Sequence, residues 1–254
     1  MSTKDSDSFR RLGTAFASGG DRYQRLRPGY PAGAVDWLVA GMPDGGRVID
    51  VGAGTGKLTA ALVARGFDVC AVDPSADMLA QLHQALPTVS TRIGTGESTN
   101  IDSGIADLVT FAQSWHWVEP AAGAAEIERI LRPTGRVGWI WSFLDVRVPW
   151  VEELAEIWHT LGSSEAIDAA SHRPELTPAF DEVETLSVDW QQPMSPIDLA
   201  DLVTTRSYYL TASADSQRKI RERAAALLAD RFPEAERIDL PYRTHCFRSR
   251  LVNR

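Results

Sequence analysis

Cysteine and long apolar runs are what this 254-residue sequence has least of. Its two cysteines, Cys70 and Cys246, lie in apolar, strand-like contexts that are typical of reduced core cysteines rather than of a disulfide framework. No apolar stretch approaches the ~20 residues that a membrane-spanning helix needs. The first ten residues, MSTKDSDSFR, lack the apolar core of a signal peptide. We therefore expect a cytoplasmic protein without a membrane partner.

Excess positive charge and metal-ligand motifs are missing as well. The net charge is −8, and an acidic chain is a poor match for a phosphate backbone, so no nucleic-acid partner is expected. No histidine stands at a metal-ligand spacing from another histidine or a cysteine, so we expect no metal centre. The histidines are His83, His116, His159, His172 and His245.

What the sequence does contain is an alternation of strand-like and helix-like segments. Apolar runs such as RVIDV and FDVCAVD alternate with amphipathic stretches such as SADMLAQLHQAL over roughly residues 32–145. This rhythm predicts a parallel sheet with helices on both faces. Beyond residue 145, two strand-like segments, EVETLSVDWQQ and IDLPYRTHCFRSRL, are separated by an insert that reads as two helices, SPIDLADLVTTRSYYL and SADSQRKIRERAAALLADRF.

The most informative stretch is a glycine-rich turn between a predicted strand and a predicted helix. Gly52, Gly54 and Gly56 follow RVIDV at alternate positions, where backbone must approach something closely. The spacing matches neither the G-x-G-x-x-G dinucleotide fingerprint nor the Walker pattern. Asp73 ends the next strand, where an acid can accept hydrogen bonds from both hydroxyls of a ribose. Turn and acid together indicate an adenosine-bearing cofactor; a tight structural turn and a helix-capping Asp are the alternatives.

Three motifs together resemble the class I S-adenosylmethionine-dependent methyltransferases. They are VIDVGAGTG (48–56), VDPSADML (72–79), and IGTGE (93–97) followed by DLVTFAQSWHW. YQRLRPGYP (23–31) and LPYRTHCFR (240–248) are similar to segments of a small-molecule branch that contains trans-aconitate-methyltransferase-like proteins. The resemblance implies an α/β, three-layer Rossmann-like fold: a seven-stranded, mostly parallel sheet with an antiparallel last strand and a helical insert before it.

The resemblance also implies a domain plan and a cofactor site. Residues 1–254 form a single methyltransferase domain, with an N-terminal lid segment (1–31), a cofactor-binding core (32–145), and substrate-side helices with the last two strands (146–254). S-adenosylmethionine is the implied cofactor, and S-adenosylhomocysteine the product. Thr95 stands where the family often has an Asp on the adenine. The implied cofactor-binding residues are Asp50, Gly52, Gly54, Gly56, Asp73, Pro74, Ser75, Met78, Thr95, Gly96, Glu97 and Gln113.

The acceptor side is expected to involve aromatic and cationic residues. His116, between two tryptophans after the fourth strand, is a candidate base or hydrogen-bond donor, although a packed His is the alternative. Tyr23 and Arg27 are four residues apart, so on a helix they would share a face of the lid. Arg206, in the insert, could add a second cation, and Trp115 a wall that excludes water. An arginine there suits an anionic acceptor, so we expect a small molecule, with a carboxylate favoured.

Two other functions fit parts of this sequence. One is a nicotinamide-dependent oxidoreductase of Rossmann type, which the spacing of the glycines and the order of the late strands disfavour. The other is a protein that binds S-adenosylmethionine without catalysis, because methyl transfer requires few obligatory catalytic side chains.

Overall fold

The computed structural model describes residues 26–159, 174, 176–210 and 212–252, without the side chains of residues 159, 207 and 208. One sheet of seven strands organises this part of the chain, in the order β3-β2-β1-β4-β5-β7-β6. The strands are β1 (Arg47–Val51), β2 (Asp68–Asp73), β3 (Ser90–Ile93), β4 (Ala106–Ala112), β5 (Leu131–Leu144), β6 (Glu184–Met194) and β7 (Ile238–Arg250). The helices are α1 (Ala32–Val39), α2 (Lys57–Val63), α3 (Ala76–Ala85), α4 (Pro120–Ile130), α5 (Pro149–His159), α6 (Pro196–Asp201), α7 (Ser207–Leu210) and α8 (Ala214–Arg231).

The first six strands point in one direction, and β7, which lies between β5 and β6, runs antiparallel to them. Along β7 and β6, Arg248 pairs with Glu184 and Arg243 with Asp189, so the residue numbers of these two strands run in opposite directions. β1 pairs in parallel with β2 and β4, β2 with β3, and β4 with β5. Between β5 and β7 the residue numbers run in opposite directions, since Asp145 N–H donates to Pro241 and Leu251 N–H donates to Gly135. The seven-stranded fold that the sequence predicts is therefore confirmed.

The parallel strands are buried on both faces, which explains their continuous apolar sequences. On one face, α1 and α2 pack with Val48 of β1 and Leu108 of β4. On the other face, the Trp115 ring lies edge-on to Phe111 and Trp139, with ring centroids 4.8 and 5.7 Å away. Within the described residues, no helix is long and apolar enough to cross a membrane.

Local capping sets where two of the helices begin. Ser75 is the N-cap of α3, and its side chain accepts a hydrogen bond from Met78 N–H. Glu119 caps α4 by accepting from Ala121 N–H and Ala122 N–H, with Pro120 in the first turn. Both caps lie in loops that follow strands of the sheet, so they fix the direction in which the chain leaves it.

The insert departs from the sequence prediction in one respect. The single helix predicted over SPIDLADLVTTRSYYL is wrong: the chain forms α6, a 3₁₀ turn over Leu202–Thr205, and then α7. The hydroxyls of Thr204 and Thr205 donate to the carbonyls of Asp201 and Leu202, three residues back. Such bonds compete with the α-helical pattern, and the backbone becomes extended at the next residue.

The chain separates into two compact units. We call Gly29–Ser142, Asp168–Val188 and Thr244–Arg254 the sheet unit, and Met1–Pro28, Phe143–Ile167 and Asp189–Arg243 the helical unit. The helical unit has a core of its own, in which α5, α6 and α8 pack around residues such as Trp158, Leu199 and Tyr242. The sheet unit holds β1 to β4 and the glycine-rich turn.

Candidate cofactor and acceptor sites

The glycine-rich turn connects β1 to α2 through left-handed backbone. Gly52, Gly54 and Gly56 have φ angles of +69°, +55° and +86°, a region in which glycine is favoured. Gly52 and Gly56 are also required for packing. A Cβ atom on Gly52 would lie 2.4 Å from Cβ of Ser114, and one on Gly56 would lie 2.9 Å from Cγ of Leu82. These two glycines approach the protein itself.

Gly54 is different, because a Cβ atom there would meet nothing within 4 Å. Its backbone is nonetheless fixed, since Gly54 N–H donates to Asp73 Oδ2 at 2.8 Å. The middle glycine of the turn therefore combines a constrained backbone with open space. The open space beside Gly54, in contrast to the close packing at Gly52 and Gly56, depends on the tertiary neighbours of the turn.

Asp73 joins the turn to the end of β2. Its Oδ1 accepts from Ser75 N–H at 2.9 Å, while Oδ2 accepts from Gly54 N–H. Burial, with 8% of the residue exposed, raises the pKa of Asp73, and the two backbone hydrogen bonds act in the opposite direction. Each carboxylate oxygen has two lone pairs, so a ribose could share this carboxylate with the two backbone N–H groups.

Asp50 lies one strand away and is fully buried. It accepts hydrogen bonds from Thr59 Oγ1 of α2 at 2.7 Å and from Thr110 Oγ1 of β4 at 2.9 Å. Burial raises the pKa of Asp50 to about 6, against the lowering effect of both hydroxyls. Both carboxylate oxygens are thus bound to protein hydroxyls, and the residue ties α2 to the sheet beneath the glycine-rich turn.

The loop after β3 carries the residues predicted to lie near an adenine. Thr95 pairs with Ser98 through two backbone hydrogen bonds, so the segment turns tightly. A Cβ atom on Gly96 would lie 2.4 Å from Val118, and the Glu97 carboxylate accepts from Glu119 N–H at 2.8 Å. Gly96 therefore packs closely against the segment that follows β4, and Glu97 is hydrogen-bonded to it.

Three further residues lie at or after the carboxyl ends of β2 and β3. Pro74 is exposed and Met78 is half-buried. Ile93, at the end of β3, is 60% exposed. Ile93 was not among the residues predicted for the site, because an isoleucine in a strand-like run is typical of a core, and only its exposure indicates another role.

The end of β4 has a backbone strain that sequence alone did not show. Gln113 has a φ of +53°, which is uncommon for a residue with a side chain. It is held there by its N–H bond to Ile140 at 2.9 Å and by an Nε2 bond to the Ser142 carbonyl at 3.3 Å. The next residue, Ser114, donates its hydroxyl to Val51 at 2.7 Å and so locks the end of β4 onto the end of β1.

The aromatic segment after β4 divides into a buried and an exposed part. Trp115 is buried against Phe111 and Trp139, so it belongs to the core. His116 is exposed, and its ring lies 4.7 Å from that of Trp117, which is 50% exposed. The role of His116 as a base stays a prediction.

Arg27 and Arg206 both belong to the helical unit. Tyr23 lies outside the described residues. Arg27 sits in a bend directly after Leu26, whose backbone is helical, and the helical face predicted for it with Tyr23 stays a prediction. Its Nη2 donates to the carbonyl of Thr205 at 3.0 Å, which puts it beside the residue that precedes Arg206. The structure therefore brings Arg27 and the 206 region together.

Comparison with known proteins agrees with this geometry. Residues 49–138 match the family model described as "Methyltransferase domain". An uncharacterized methyltransferase of Mycobacterium tuberculosis is 42% identical over 247 residues, covering 96% of this chain and 99% of the relative. A methyltransferase-like protein of Schizosaccharomyces pombe is 34% identical over 138 residues, covering 53% of this chain and 54% of the relative.

Solved structures show the same fold. A chain from Anaeromyxobacter dehalogenans, described as a type II methyltransferase, superposes with a TM-score of 0.69 at 23% identity, covering 90% of this chain and 99% of its own. A second chain, from Anabaena variabilis and described as a methyltransferase from an antibiotic biosynthesis pathway, gives a TM-score of 0.59 at 20% identity, covering 85% of this chain and 95% of its own.

Fold and turn define a Rossmann-like methyltransferase, since the strand order, the glycine-rich turn after β1 and the acid after β2 occur together. With a relative that is 42% identical over almost the entire chain, the family follows. The chain belongs to the class I S-adenosylmethionine-dependent methyltransferases. Its likeness to the trans-aconitate branch stays a prediction.

Proposed function

We propose that this enzyme binds S-adenosylmethionine at the ends of β1, β2 and β4 and transfers the methyl group to a small molecule bearing a carboxylate. The observation that carries the cofactor site is the pairing of Gly54 with Asp73. Open space at Gly54 and a buried carboxylate on its N–H form a backbone cradle with an acceptor for ribose hydroxyls.

The residues present fit this cofactor. Asp73 would hold the ribose, and Gly54 would lie against the ribose and the methionine portion. Pro74, Met78 and Ile93 would offer apolar surface to the adenine, in a loop region that Thr95, Gly96 and Glu97 complete. Gln113 would lie beside the methionine portion, with its backbone direction set by the bond to Ile140.

The chemistry makes modest demands on the side chains. When bound, the cofactor supplies a methyl group on a sulfonium, a good leaving group. The chain's own residues need to hold the acceptor in line and exclude water, and such positioning can be worth ~7–11 kcal/mol. A carboxylate acceptor is ionised at neutral pH and needs no general base. His116 would act as a base only for an acceptor that carries a proton at that pH.

The carboxylate preference comes from the cations of the helical unit. Arg27, fixed on the Thr205 carbonyl, and Arg206 carry guanidinium groups that match a carboxylate in shape and charge. Tyr23 and the lid role of residues 1–31 belong to this proposal as well.

Replacing Asp73 tests the cofactor site. Asp73→Asn should weaken S-adenosylmethionine binding by about 10²–10⁴-fold, because two charge-assisted hydrogen bonds of ~1.5–3 kcal/mol each are altered. Calorimetry with S-adenosylmethionine, S-adenosylhomocysteine and NAD measures this directly. Asp68→Asn is the matched control, since Asp68 lies at the opposite end of β2 and pairs with Arg47.

We expect the Asp68 variant to bind as the wild type does, and NAD not to bind. An unchanged dissociation constant in the Asp73 variant would overturn the assignment of the ribose site.

A further inference from the structure

The helical unit contains a buried phenol that the methyltransferase fold does not explain. Tyr242 of β7 is 1% exposed, and its hydroxyl has no hydrogen-bond partner among the described residues. The ring stacks on Trp190 of β6, with centroids 5.1 Å apart and an interplanar angle of 21°. A buried hydroxyl without a partner is unfavourable, and a leucine or phenylalanine would fill this position at lower cost.

Two guanidinium groups act on this hydroxyl. Burial raises the pKa of Tyr242 to about 12, and the charges of Arg206 and Arg27 oppose that rise. The phenol is therefore protonated at neutral pH and can donate a hydrogen bond.

Packing brings these groups together. Leu26, which precedes Arg27, and Val203 and Tyr209, which flank Arg206, lie in the same hydrophobic cluster as Tyr242. The bond from Arg27 to the Thr205 carbonyl fixes one guanidinium next to the turn that carries the other. The three side chains come from the N-terminal segment, the insert and β7. No short sequence motif can contain all three, because these segments lie far apart in the chain.

We propose that Arg27, Arg206 and Tyr242 form the binding site for a carboxylate of the methyl acceptor. This inference rests on the proposed function and adds the residue that sequence reasoning missed, Tyr242. All three groups donate hydrogen bonds, so their ligand must be an acceptor, and two positive charges require it to be an anion. A carboxylate suits so buried and aromatic a setting better than a phosphate dianion, because removing a single charge from water costs less.

Ligand-binding measurements without S-adenosylmethionine test this site separately from the cofactor site. We would titrate the purified protein with acetate, benzoate, succinate and inorganic phosphate by calorimetry and by thermal shift. At least one carboxylate should bind the wild type. Tyr242→Phe and Arg206→Met should weaken that binding about tenfold or more, and Arg206→Lys should do so less, since it keeps the charge and loses the planar fork.

Two controls separate recognition from folding. Ligand-free Tyr242→Phe should melt at the wild-type temperature or higher, because it removes only a hydroxyl without a partner. Arg218→Met should leave carboxylate binding unchanged, since Arg218 is an exposed residue of α8 paired with Asp215.

Three results would overturn the proposal: no carboxylate binds the wild type, the Tyr242 and Arg206 variants bind as the wild type does, or phosphate binds more tightly than every carboxylate. Intact S-adenosylmethionine binding in the same samples would show that the cofactor assignment stands even then.

Discussion

The buried carboxylates of the sheet unit and the buried phenol of the helical unit differ in whether the protein supplies their hydrogen-bond partners. In the sheet unit, the carboxylates of Asp50, Asp73 and Glu126 each accept two or more hydrogen bonds from hydroxyls, backbone N–H groups or an arginine. In the helical unit, Tyr242 and Gln192 each keep a buried polar atom without a partner among the described residues. The sheet unit thus satisfies these buried carboxylates internally, although Nε1 of its Trp139 also has no partner in the described part of the chain, whereas the helical unit leaves a buried phenol unsatisfied there.

The difference distinguishes two kinds of site. In a pre-formed site the protein itself supplies every hydrogen-bond partner, and in a ligand-completed site a bound ligand supplies the missing one. Glu126 illustrates the first: burial would raise its pKa, but hydrogen bonds from Arg129 and Thr99 outweigh burial and lower it to about 2. Such a carboxylate stiffens the loop after β3 before any ligand arrives. Tyr242 illustrates the second, because its hydroxyl gains a partner only from outside the described residues.

The largest expected effect concerns the open glycine of the pre-formed site. Gly54→Val should abolish S-adenosylmethionine binding, weakening it more than 100-fold by our proposal, because a side chain would occupy the space that the cofactor needs. Calorimetry measures the loss, and circular dichroism checks that the protein stays folded.

Gly66→Val is its matched control. Gly66 also has a positive φ, +84°, and nothing within 4 Å of an added Cβ atom, so it carries the same kind of backbone strain away from the turn. If both variants bound the cofactor equally well, the cofactor would lie elsewhere, and the glycine-rich turn would not be a pre-formed cofactor site.

A second, intermediate effect concerns the buried acid beneath the turn. The pKa of Asp50 in the folded state, about 6, is higher than the ordinary value of 3.8. The folded state therefore binds more protons between roughly pH 4 and 6, and this residue's contribution to the free energy of unfolding falls as pH rises through that window. The change amounts to roughly 3 kcal/mol for two pKa units.

Asp50→Asn removes the charge and retains an acceptor for a threonine hydroxyl. Relative to the wild type, its melting temperature should rise between pH 4 and 7, as thermal melts at several pH values would show. Asp68→Asn, which alters an exposed acid, should run parallel to the wild type. If the curve for Asp50→Asn also ran parallel to that of the wild type, burial would not raise the pKa of Asp50 in the folded protein.

The smallest expected effect concerns the strained residue at the end of β4. Gln113→Ala should weaken S-adenosylmethionine binding about fivefold, since one hydrogen bond contributes ~1 kcal/mol. Gln113→Gly should show the same loss of affinity and a melting temperature equal to or above that of the Ala variant, because glycine tolerates the φ of +53°. Unchanged affinity in both variants would reduce Gln113 to a structural residue.

Sequence patterns predicted most of the sheet unit, because its information is local. Strand runs such as RVIDV are mostly apolar, Ser75 caps the helix that follows it, and glycine occupies most of the positions at which φ is positive. These properties depend on a few neighbouring residues, so periodicity and turn chemistry reveal them.

The insert was harder to predict. Its threonines form local hydroxyl bonds that break one predicted helix into three short pieces, and helical periodicity does not show such competition. The contacts of Trp115 with Phe111 and Trp139 could not be predicted either, because they depend on strand pairing.

The sequence by itself determined the individual strands, the glycine-rich turn and Asp73, and hence the family. Tertiary structure alone decided which glycine is open, that Asp50 faces two threonine hydroxyls, and that Arg27, Arg206 and Tyr242 belong together. The physical reason is range. Backbone conformation and capping are set within a few residues, whereas open space, desolvation and charge clustering arise between segments that lie far apart in the chain and meet only after the sheet and helices have packed.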